Sequence, residues 1–299
     1  MEAIIIIRFI MFIIRLMPHR FALSFGRTLG RLLRLILWKK TDRCEARCVM
    51  SLGVGITTAR EIIRGSFMNF GMSIIEFIRV PVIKPRIKEF VKFTPESIRR
   101  LREASEQGKG VLVMDTHMGN WELCAVRVAE EGFEVCPIVT PQRNDAGVND
   151  MINEIRGLTP KVRTIDSETG LREIIRTLKS GGIVVVMQDL DARKDGIITN
   201  FLGMPASTHE GIVKLYQKFK CPVLPARFIR DKDNIHHEIR IYEDISIRHD
   251  KNGKLFGEDL PGSLGICNEI IEEWIRERPE LWMWLMDRWE YVFRQKEKK

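Results

Sequence analysis

The protein has 299 residues, of which 44% are hydrophobic and 29% charged, and its formal charge at pH 7 is +8. This length and balance are typical of a globular protein with one substantial core, and we expect one domain with an appendage rather than two domains. The basic residues are concentrated at the N-terminus and the remaining chain is almost neutral, which argues against a nucleic-acid-binding protein.

The first 40 residues form a basic and strongly apolar arm. They contain eight basic residues and a single acidic one, and so carry +7 of the net charge. On a helix with about 100° between residues, Arg8 and Arg15 share a face, as do Arg27, Arg31 and Arg34. An apolar helix with an arginine stripe is typical of a segment that lies in a membrane interface.

We therefore divide the chain into an amphipathic membrane-associating arm, residues 1–40, and a domain, residues 41–299. No uninterrupted apolar run in the arm reaches the roughly 18 residues of a membrane span, although snorkelling arginines would permit one short span. A secretory signal peptide is not expected, because Arg15 interrupts the apolar run and no small-residue cleavage site follows. A pair of core helices with solvated arginines remains the alternative.

The six cysteines do not form the paired CxxC spacing of a metal site or the dense pattern of a disulfide scaffold. Cys44 and Cys48 are one helical turn apart, but no second Cys/His pair completes a set of four ligands. We expect reduced thiols, no metal and no bound organic cofactor.

Downstream of the arm, the pattern changes from helices to alternating strands and helices. Amphipathic helices are predicted over 57–80 and from Thr94, which can cap the helix, to Gly108. The run GVLVMDTH, residues 110–117, then reads as a strand buried on both faces, and strand and helix alternate from there. Residues 236–245 alternate like an exposed or edge strand. We predict an α/β fold with a mostly parallel or mixed sheet flanked by helices.

His117 falls where the first of these strands ends, the position at which open α/β sheets bind ligands. If His117 and Glu122 lay in one straight helix they would be about 140° apart and could not touch. If Gly119 lets the chain bend into a helix that begins near Asn120, the Glu122 carboxylate can reach back and orient the imidazole as a base. A surface histidine beside a helix-capping glutamate is the structural alternative.

The segment HMGNWE, residues 117–122, resembles the His-x4-acid signature of the glycerolipid acyltransferase superfamily, and most closely the HxGNWE form of the lipid A biosynthesis acyltransferases. Arg143 and Asn144, then Arg156 and Gly157, resemble that family's Arg-Asn loop and Arg-x-x-Gly segment.

The resemblance extends in order from Leu16 to Trp289. It includes residues 180–208, with a glycine-rich turn, a strand and an acidic loop, and the tryptophan-rich segment 279–289. The chain departs from the family pattern at Leu190, Leu202 and residues 286–287, and these departures leave the acceptor open because residues around a pocket select substrate rather than reaction type.

This resemblance implies transfer of an acyl chain from acyl carrier protein or acyl coenzyme A to a hydroxyl of a lipid A precursor. His117 would be the general base and Glu122 would orient it, while Arg143, Arg156 or a backbone N–H near Gly119 would stabilise the oxyanion. The implied location is the cytoplasmic face of the bacterial inner membrane, either peripheral or with one short span. A phospholipid or other glycolipid acceptor, and a non-catalytic membrane-binding protein, are the alternatives.

Other candidate residues have two readings each. Asn120 is either a helix N-cap or part of the substrate site, and Asp189, Asp191 and Arg193 either bind the acceptor headgroup or form a solvated turn. Cys124 is expected in the core rather than as a nucleophile. The tryptophans of residues 282–289 are either core or interface anchors, or part of an acyl tunnel.

Overall fold

The computed structural model describes residues 2–140 and 146–297, and within them the chain forms thirteen α-helices and nine β-strands. The helices are α1 (Glu2–Leu16), α2 (His19–Ile36), α3 (Trp38–Leu52), α4 (Ile56–Ile78), α5 (Val80–Ile83), α6 (Ile87–Phe90), α7 (Pro95–Glu106), α8 (Trp121–Glu130), α9 (Ala146–Gly157), α10 (Leu171–Lys179), α11 (Gly211–Phe219), α12 (Leu260–Glu277) and α13 (Glu290–Glu297). The strands are β1 (Val91–Phe93), β2 (Val111–Asp115), β3 (Val135–Val139), β4 (Ile165–Asp166), β5 (Ile183–Met187), β6 (Ile197–Phe201), β7 (Met204–Thr208), β8 (Val223–Arg230) and β9 (His237–Ile241).

Seven strands form a central sheet in the order β1-β9-β8-β2-β5-β3-β4, and β6 and β7 form a separate hairpin. Strands β8, β2, β5, β3 and β4 are parallel to one another, whereas β9 is antiparallel to β8 and is paired on its other side with β1, which is parallel to it. The predicted α/β fold with a mostly parallel or mixed sheet is confirmed. The alternating strand β9 is not an edge strand, because β1, which the sequence pattern did not reveal, pairs with its outer side.

Strand β2 is central and every one of its residues is buried, as its unalternating apolar sequence predicts. Leu112 and Met114 contribute to the core on one face of the sheet, while Val111 and Val113 contribute to the core on the other. Both faces are covered by helices, so the carboxyl end of β2 opens at the edge of a sheet that is buried on two sides. His117 lies at that edge.

Helix α2 of the arm packs closely against α4. A Cβ atom at Gly30 would lie 2.2 Å from the Phe67 carbonyl oxygen, and one at Gly71 would lie 2.2 Å from that of Gly26. Only glycine allows these two backbones to approach so closely. The contact fixes α4, whose other residues reach the candidate site.

Within the part of the chain that the structure describes, no single helix has the length and apolar composition of a membrane span. Helix α4 and the segment Val80–Phe90 have that length and composition only when they are taken together, and the two are bent by 68° relative to each other.

Candidate active site

The His117 side chain lies in a turn just beyond β2 and is mostly buried, with 12% of it exposed. Its Nδ1 lies 2.9 Å from Oδ1 of Asp189, and its backbone N–H donates to Oδ2 of the same carboxylate at 2.9 Å. The Trp282 indole N–H donates to Oδ2 at 2.8 Å. Asp189 therefore accepts three hydrogen bonds and fixes both the ring and the backbone of His117.

Asp189 is almost fully buried, at 2% exposure. Burial alone would raise its pKa, but the charge of His117 and the hydrogen bonds from His117 and Trp282 lower the pKa below its ordinary value, so the group is a carboxylate at neutral pH. A carboxylate can only accept, so the hydrogen bond requires a proton on His117 Nδ1. This leaves Nε2 as the basic nitrogen of the neutral ring.

Glu122 has a different partner from the one that the sequence predicts. Its carboxylate receives two hydrogen bonds from Arg156, from Nε at 3.1 Å and from Nη2 at 2.5 Å. Both side chains are about one-fifth exposed. Among the described residues, the carboxylate that is hydrogen-bonded to the His117 ring is Asp189, whereas Glu122 is engaged by a planar guanidinium that matches both of its oxygens.

Gly119 forms the bend that the sequence predicts. Its φ is +64°, and a Cβ atom there would lie 2.3 Å from the Phe228 carbonyl oxygen, so both conformation and space require glycine. Its N–H donates to the Leu281 carbonyl at 3.1 Å. The backbone N–H groups of residues 117, 118 and 119 all donate within the protein, to Asp189, Thr116 and Leu281, so none of them is directed at a substrate.

Asn120 is the N-cap of α8, since its Oδ1 accepts the N–H of Leu123 at 3.2 Å. Its Nδ2 donates to Oε2 of Glu76 at 2.7 Å. Asn120 is 1% exposed, and both ends of its amide are therefore used inside the protein. Asn120 therefore stabilises the turn from inside the protein, and it does not line the cavity described below.

The C-terminal segment closes over the turn. Met118 and Trp282 form an isolated antiparallel bridge, and the Met283 N–H donates to the His117 carbonyl at 3.0 Å. Trp284 and Trp289 are 1% exposed, and the Trp282 ring packs on both, with centroid distances of 4.7 and 6.1 Å. The three tryptophans are core residues, and Trp282 also holds the candidate catalytic carboxylate.

A cavity of about 900 Å³ opens at His117. Glu122 and Arg156 line it beside the histidine, and Asp115, at the end of β2, contributes another carboxyl group. Burial holds the pKa of Asp115 well above its ordinary value. The cavity passes between α8 and the sheet, where most of its wall is hydrocarbon; this part is lined by Leu101, Val113, Ala125, Val128, Ala226, Phe228, Ile239 and Ile241.

Two further residues of the predicted headgroup loop lie near the site but stabilise the loop itself. Asp191 accepts the N–H of Arg193 at 2.8 Å and that of Tyr291 at 2.7 Å. Arg193 is exposed with a φ of +53°. Asp189 faces His117 instead of the solvent, so the structure does not bring the three together as one headgroup site. Arg143 and Asn144 lie outside the described residues.

Cys124 is fully buried in the core and burial raises the pKa of its thiol well above the ordinary value, as expected of a packing residue. All six cysteines are free and buried.

Sequence reasoning missed the roles of Asp189 and Trp282 toward His117, and it missed Glu76 altogether. A signal existed for Asp189, which follows its strand by two residues, as His117 follows β2. Glu76 gave no comparable signal, because it lies inside an ordinary helical pattern of α4. Only its complete burial in the folded chain distinguishes it.

The comparison with protein families finds a match to the bacterial lipid A biosynthesis acyltransferases over residues 2–291. The search of curated proteins finds no significant match. The family match covers nearly the whole chain and includes the turn with His117, the loop with Asp189 and the segment with Trp282. The chain therefore belongs to the family of bacterial lipid A biosynthesis acyltransferases, enzymes that transfer an acyl group from a donor to a lipid acceptor.

Proposed function

We propose that this enzyme transfers a fatty acyl chain from a thioester to a hydroxyl of a lipid A precursor, with His117 as general base and Asp189 as the residue that orients it. The observation that carries this proposal is the hydrogen bond between His117 Nδ1 and Asp189 at 2.9 Å, located at an apolar cavity. A base oriented by a carboxylate suits direct attack by the substrate hydroxyl.

In the proposed reaction, His117 Nε2 takes the proton of the acceptor hydroxyl as its oxygen attacks the thioester carbonyl carbon. The tetrahedral intermediate then breaks its carbon–sulfur bond, and the departing thiolate receives the proton from the imidazolium. The products are an ester and a free thiol, and the histidine returns to its neutral form. Asp189 stabilises the imidazolium while it exists.

Arg156 is our candidate for stabilising the oxyanion of that intermediate. It lines the cavity with His117, and Glu122 holds two of its five N–H donors and leaves the others for a ligand. In this proposal, the glutamate of the His-x4-Glu pattern orients the arginine rather than the histidine.

The cavity between α8 and the sheet would hold the acyl chain. Its walls include Leu101, Val113, Val128, Phe228 and Ile241, all of which are buried and apolar. Its volume lies within the roughly 300 to 1,000 Å³ of pockets that enclose small molecules. An alkyl chain would be removed from water along its length, which is favourable by about 0.8 kcal/mol per methylene group.

Residues 1–40 would bind the enzyme to the cytoplasmic face of the inner membrane, with residues 41–299 as the catalytic domain. Helices α1 and α2 expose large apolar side chains, including Ile5 at 63%, Phe9 at 64% and Phe21 at 61%. Arg8 pairs with Glu154, whereas Arg20 and Arg31 are exposed and free to meet anionic lipid.

Vesicle flotation tests this attachment. Phe9→Glu should weaken binding to vesicles of anionic phospholipid, whereas Ile247→Glu, which changes a side chain that is 72% exposed on the catalytic domain, should not. Equal binding by both variants and the wild type would reject the arm as the attachment.

The function itself is tested with purified full-length protein in mixed micelles. Acyl carrier protein or coenzyme A thioesters are supplied with a disaccharide lipid A precursor or a phospholipid, and mass spectrometry detects the added acyl chain. We expect a product on the disaccharide lipid with the wild type and with His249→Ala, which changes an exposed histidine, and none with His117→Ala. Product only on the phospholipid would reject a lipid A precursor as the acceptor. No product on either lipid would reject the acyltransferase activity.

A further inference from the structure

A buried cluster of polar side chains lies behind the turn that carries His117. At its centre is Glu76 of α4, which is 0% exposed. Arg230 donates to Glu76 from Nη1 at 2.8 Å and from Nη2 at 2.6 Å, and His237 Nε2 lies 3.0 Å from it. Asn120 Nδ2 completes the set at 2.7 Å. We call Glu76, Arg230, His237 and Asn120 the Glu76 cluster.

The cluster is a costly arrangement for a protein that needs only stability. Burial by itself would raise the pKa of Glu76, but the charge of Arg230 and the hydrogen bonds from Arg230 and His237 hold the pKa well below the ordinary value, so the group is ionised. Well-packed apolar residues often stabilise a protein as much as a buried ion pair does, because both charges must be removed from water. The position of the cluster suggests a second role.

The cluster lies on the interior side of Gly119 and Asn120, and these two residues lie between His117 and Glu122 in the turn. The Gly119 carbonyl accepts hydrogen bonds from Ser73 at 3.1 Å and from Asn69 at 3.3 Å, both on the same helix as Glu76. Arg230 ties these two donors to the cluster, since it donates to the Asn69 side chain at 2.8 Å and to the Ser73 hydroxyl at 3.2 Å.

We propose that Glu76 is a positioning residue, which acts through Asn120 to hold the turn of residues 117–122 in its reactive geometry. It does not line the cavity, so it has no route to the substrate except through the turn. Asn120 caps α8 with its carbonyl oxygen and binds Glu76 with its amide nitrogen, and so joins the helix that carries Glu122 to the buried anion. This inference rests on the proposed reaction at His117.

Asn120 donates its side-chain hydrogen bond to Glu76, so the donor and the acceptor can be exchanged by placing an amide at position 76 and a carboxylate at position 120. Glu76→Gln removes the charge that Arg230 needs, and Asn120→Asp places a second carboxylate against the first. We expect each single variant to lower kcat by about 100-fold, the size of effect that a small misplacement of reacting groups produces. KM should change much less, because the cavity walls are unaltered.

The double variant Glu76→Gln/Asn120→Asp reverses the donor and the acceptor while keeping one negative charge in the cluster. Aspartate is also a good N-cap, so the start of α8 is preserved. We expect kcat to recover most of the loss. If Glu76 had a purely structural role, kcat in the double variant would recover only as far as the recovery of its melting temperature explains.

A matched control comes from Glu45, another buried glutamate, which pairs with Arg34 and Arg60 away from the turn. Glu45→Gln should lower the melting temperature without a specific fall in kcat. If Glu76→Gln and Glu45→Gln have equal kcat at equal loss of stability, the positioning role is wrong.

Hydrogen exchange provides a readout that does not need activity. The amide of Gly119 donates to Leu281 and that of Leu123 donates to Asn120, so both should exchange faster in each single variant and slow again in the double variant. Unchanged exchange in the single variants would overturn the inference. A wild-type protein without acyl transfer but with this exchange pattern would instead reject the proposed reaction and retain the support of the turn by Glu76.

Discussion

His117 and Asp189 are 72 residues apart in sequence, yet the imidazole Nδ1 and the carboxylate Oδ1 lie 2.9 Å apart. The register of the sheet brings them together. Strands β2 and β5 are parallel neighbours in which Asp115 is paired with Met187, and His117 and Asp189 each follow these partners by two residues. Adjacent parallel strands therefore bring the histidine and its carboxylate partner to the same edge of the sheet.

The first prediction concerns Asp189→Asn. The amide can donate to Nδ1 and so favours the wrong tautomer of His117, and we expect kcat to fall by about 10³- to 10⁴-fold, as in other carboxylate–histidine pairs. Asp195→Asn, an exposed substitution in the same loop, is the control and should remain near wild type. Steady-state kinetics of the acyl transfer measure the difference, and a loss below tenfold for Asp189→Asn would contradict the role given to this carboxylate.

The second prediction separates Glu122 from His117. Removal of one oxyanion donor typically lowers kcat by about 10²- to 10³-fold, which we expect for Arg156→Ala. If Glu122 acts by holding Arg156, then Glu122→Gln should have little further effect once Arg156 is gone. A double-mutant cycle measures this coupling, and full additivity of the two losses would return Glu122 to the orienting role that its spacing from His117 suggests.

The third prediction concerns Gly119, where both the φ of +64° and the nearby Phe228 carbonyl exclude a side chain. Gly53 has nearly the same φ, +67°, but open space around its missing Cβ. Gly53→Ala should lose only the roughly 1 to 2 kcal/mol of a left-handed conformation, whereas Gly119→Ala should lose more. Chemical denaturation of the two variants provides the comparison, and equal losses would show that the contact with Phe228 is relieved.

The fourth prediction is a pH dependence of stability at Asp115. Burial raises the pKa of this carboxyl in the folded state, so the unfolded chain releases its proton more readily as pH rises above the ordinary value of 3.8. The free energy of unfolding of the wild type therefore falls, relative to that of Asp115→Asn, by about 1.4 kcal/mol for each pH unit between this ordinary pKa and the raised pKa of the folded state. Above the raised pKa the difference between the two proteins is constant. Melting temperatures of both proteins between pH 4 and 8 measure it. A pH-independent difference would show that Asp115 titrates normally.

The fifth prediction addresses the acyl chain. Ala125 of α8 and Leu101 of α7 both line the cavity. Ala125→Leu should favour shorter acyl donors and Leu101→Ala longer ones, and a shift of about tenfold in kcat/KM is the expected scale for a change of this size in an apolar pocket. Competition between donors of different length measures the preference. If both variants shifted the preference towards donors of the same length, the acyl chain would not bind in this cavity.

Four features were predictable from the sequence alone: the α/β fold, the buried strand β2, the position of His117 at its end and the bend at Gly119. Each of these follows from local rules, since an apolar run, a glycine and a capping residue constrain only their immediate neighbours. The edge strand β1 was not predictable in this way, because its three residues form a strand only by pairing with β9. The arm of residues 1–40 was recognisable from its composition, and its binding to a membrane remains a prediction.

The partners of the site residues were decided by the tertiary structure. A spacing of five residues makes Glu122 a plausible partner of His117, but the parallel register of β2 and β5 brings Asp189 to the ring, and α9 brings Arg156 to Glu122. Glu76 became visible only when α4, β8 and β9 enclosed it together. Side-chain pairing across such distances depends on which strands are neighbours and in which register, and no local pattern of residues contains that information.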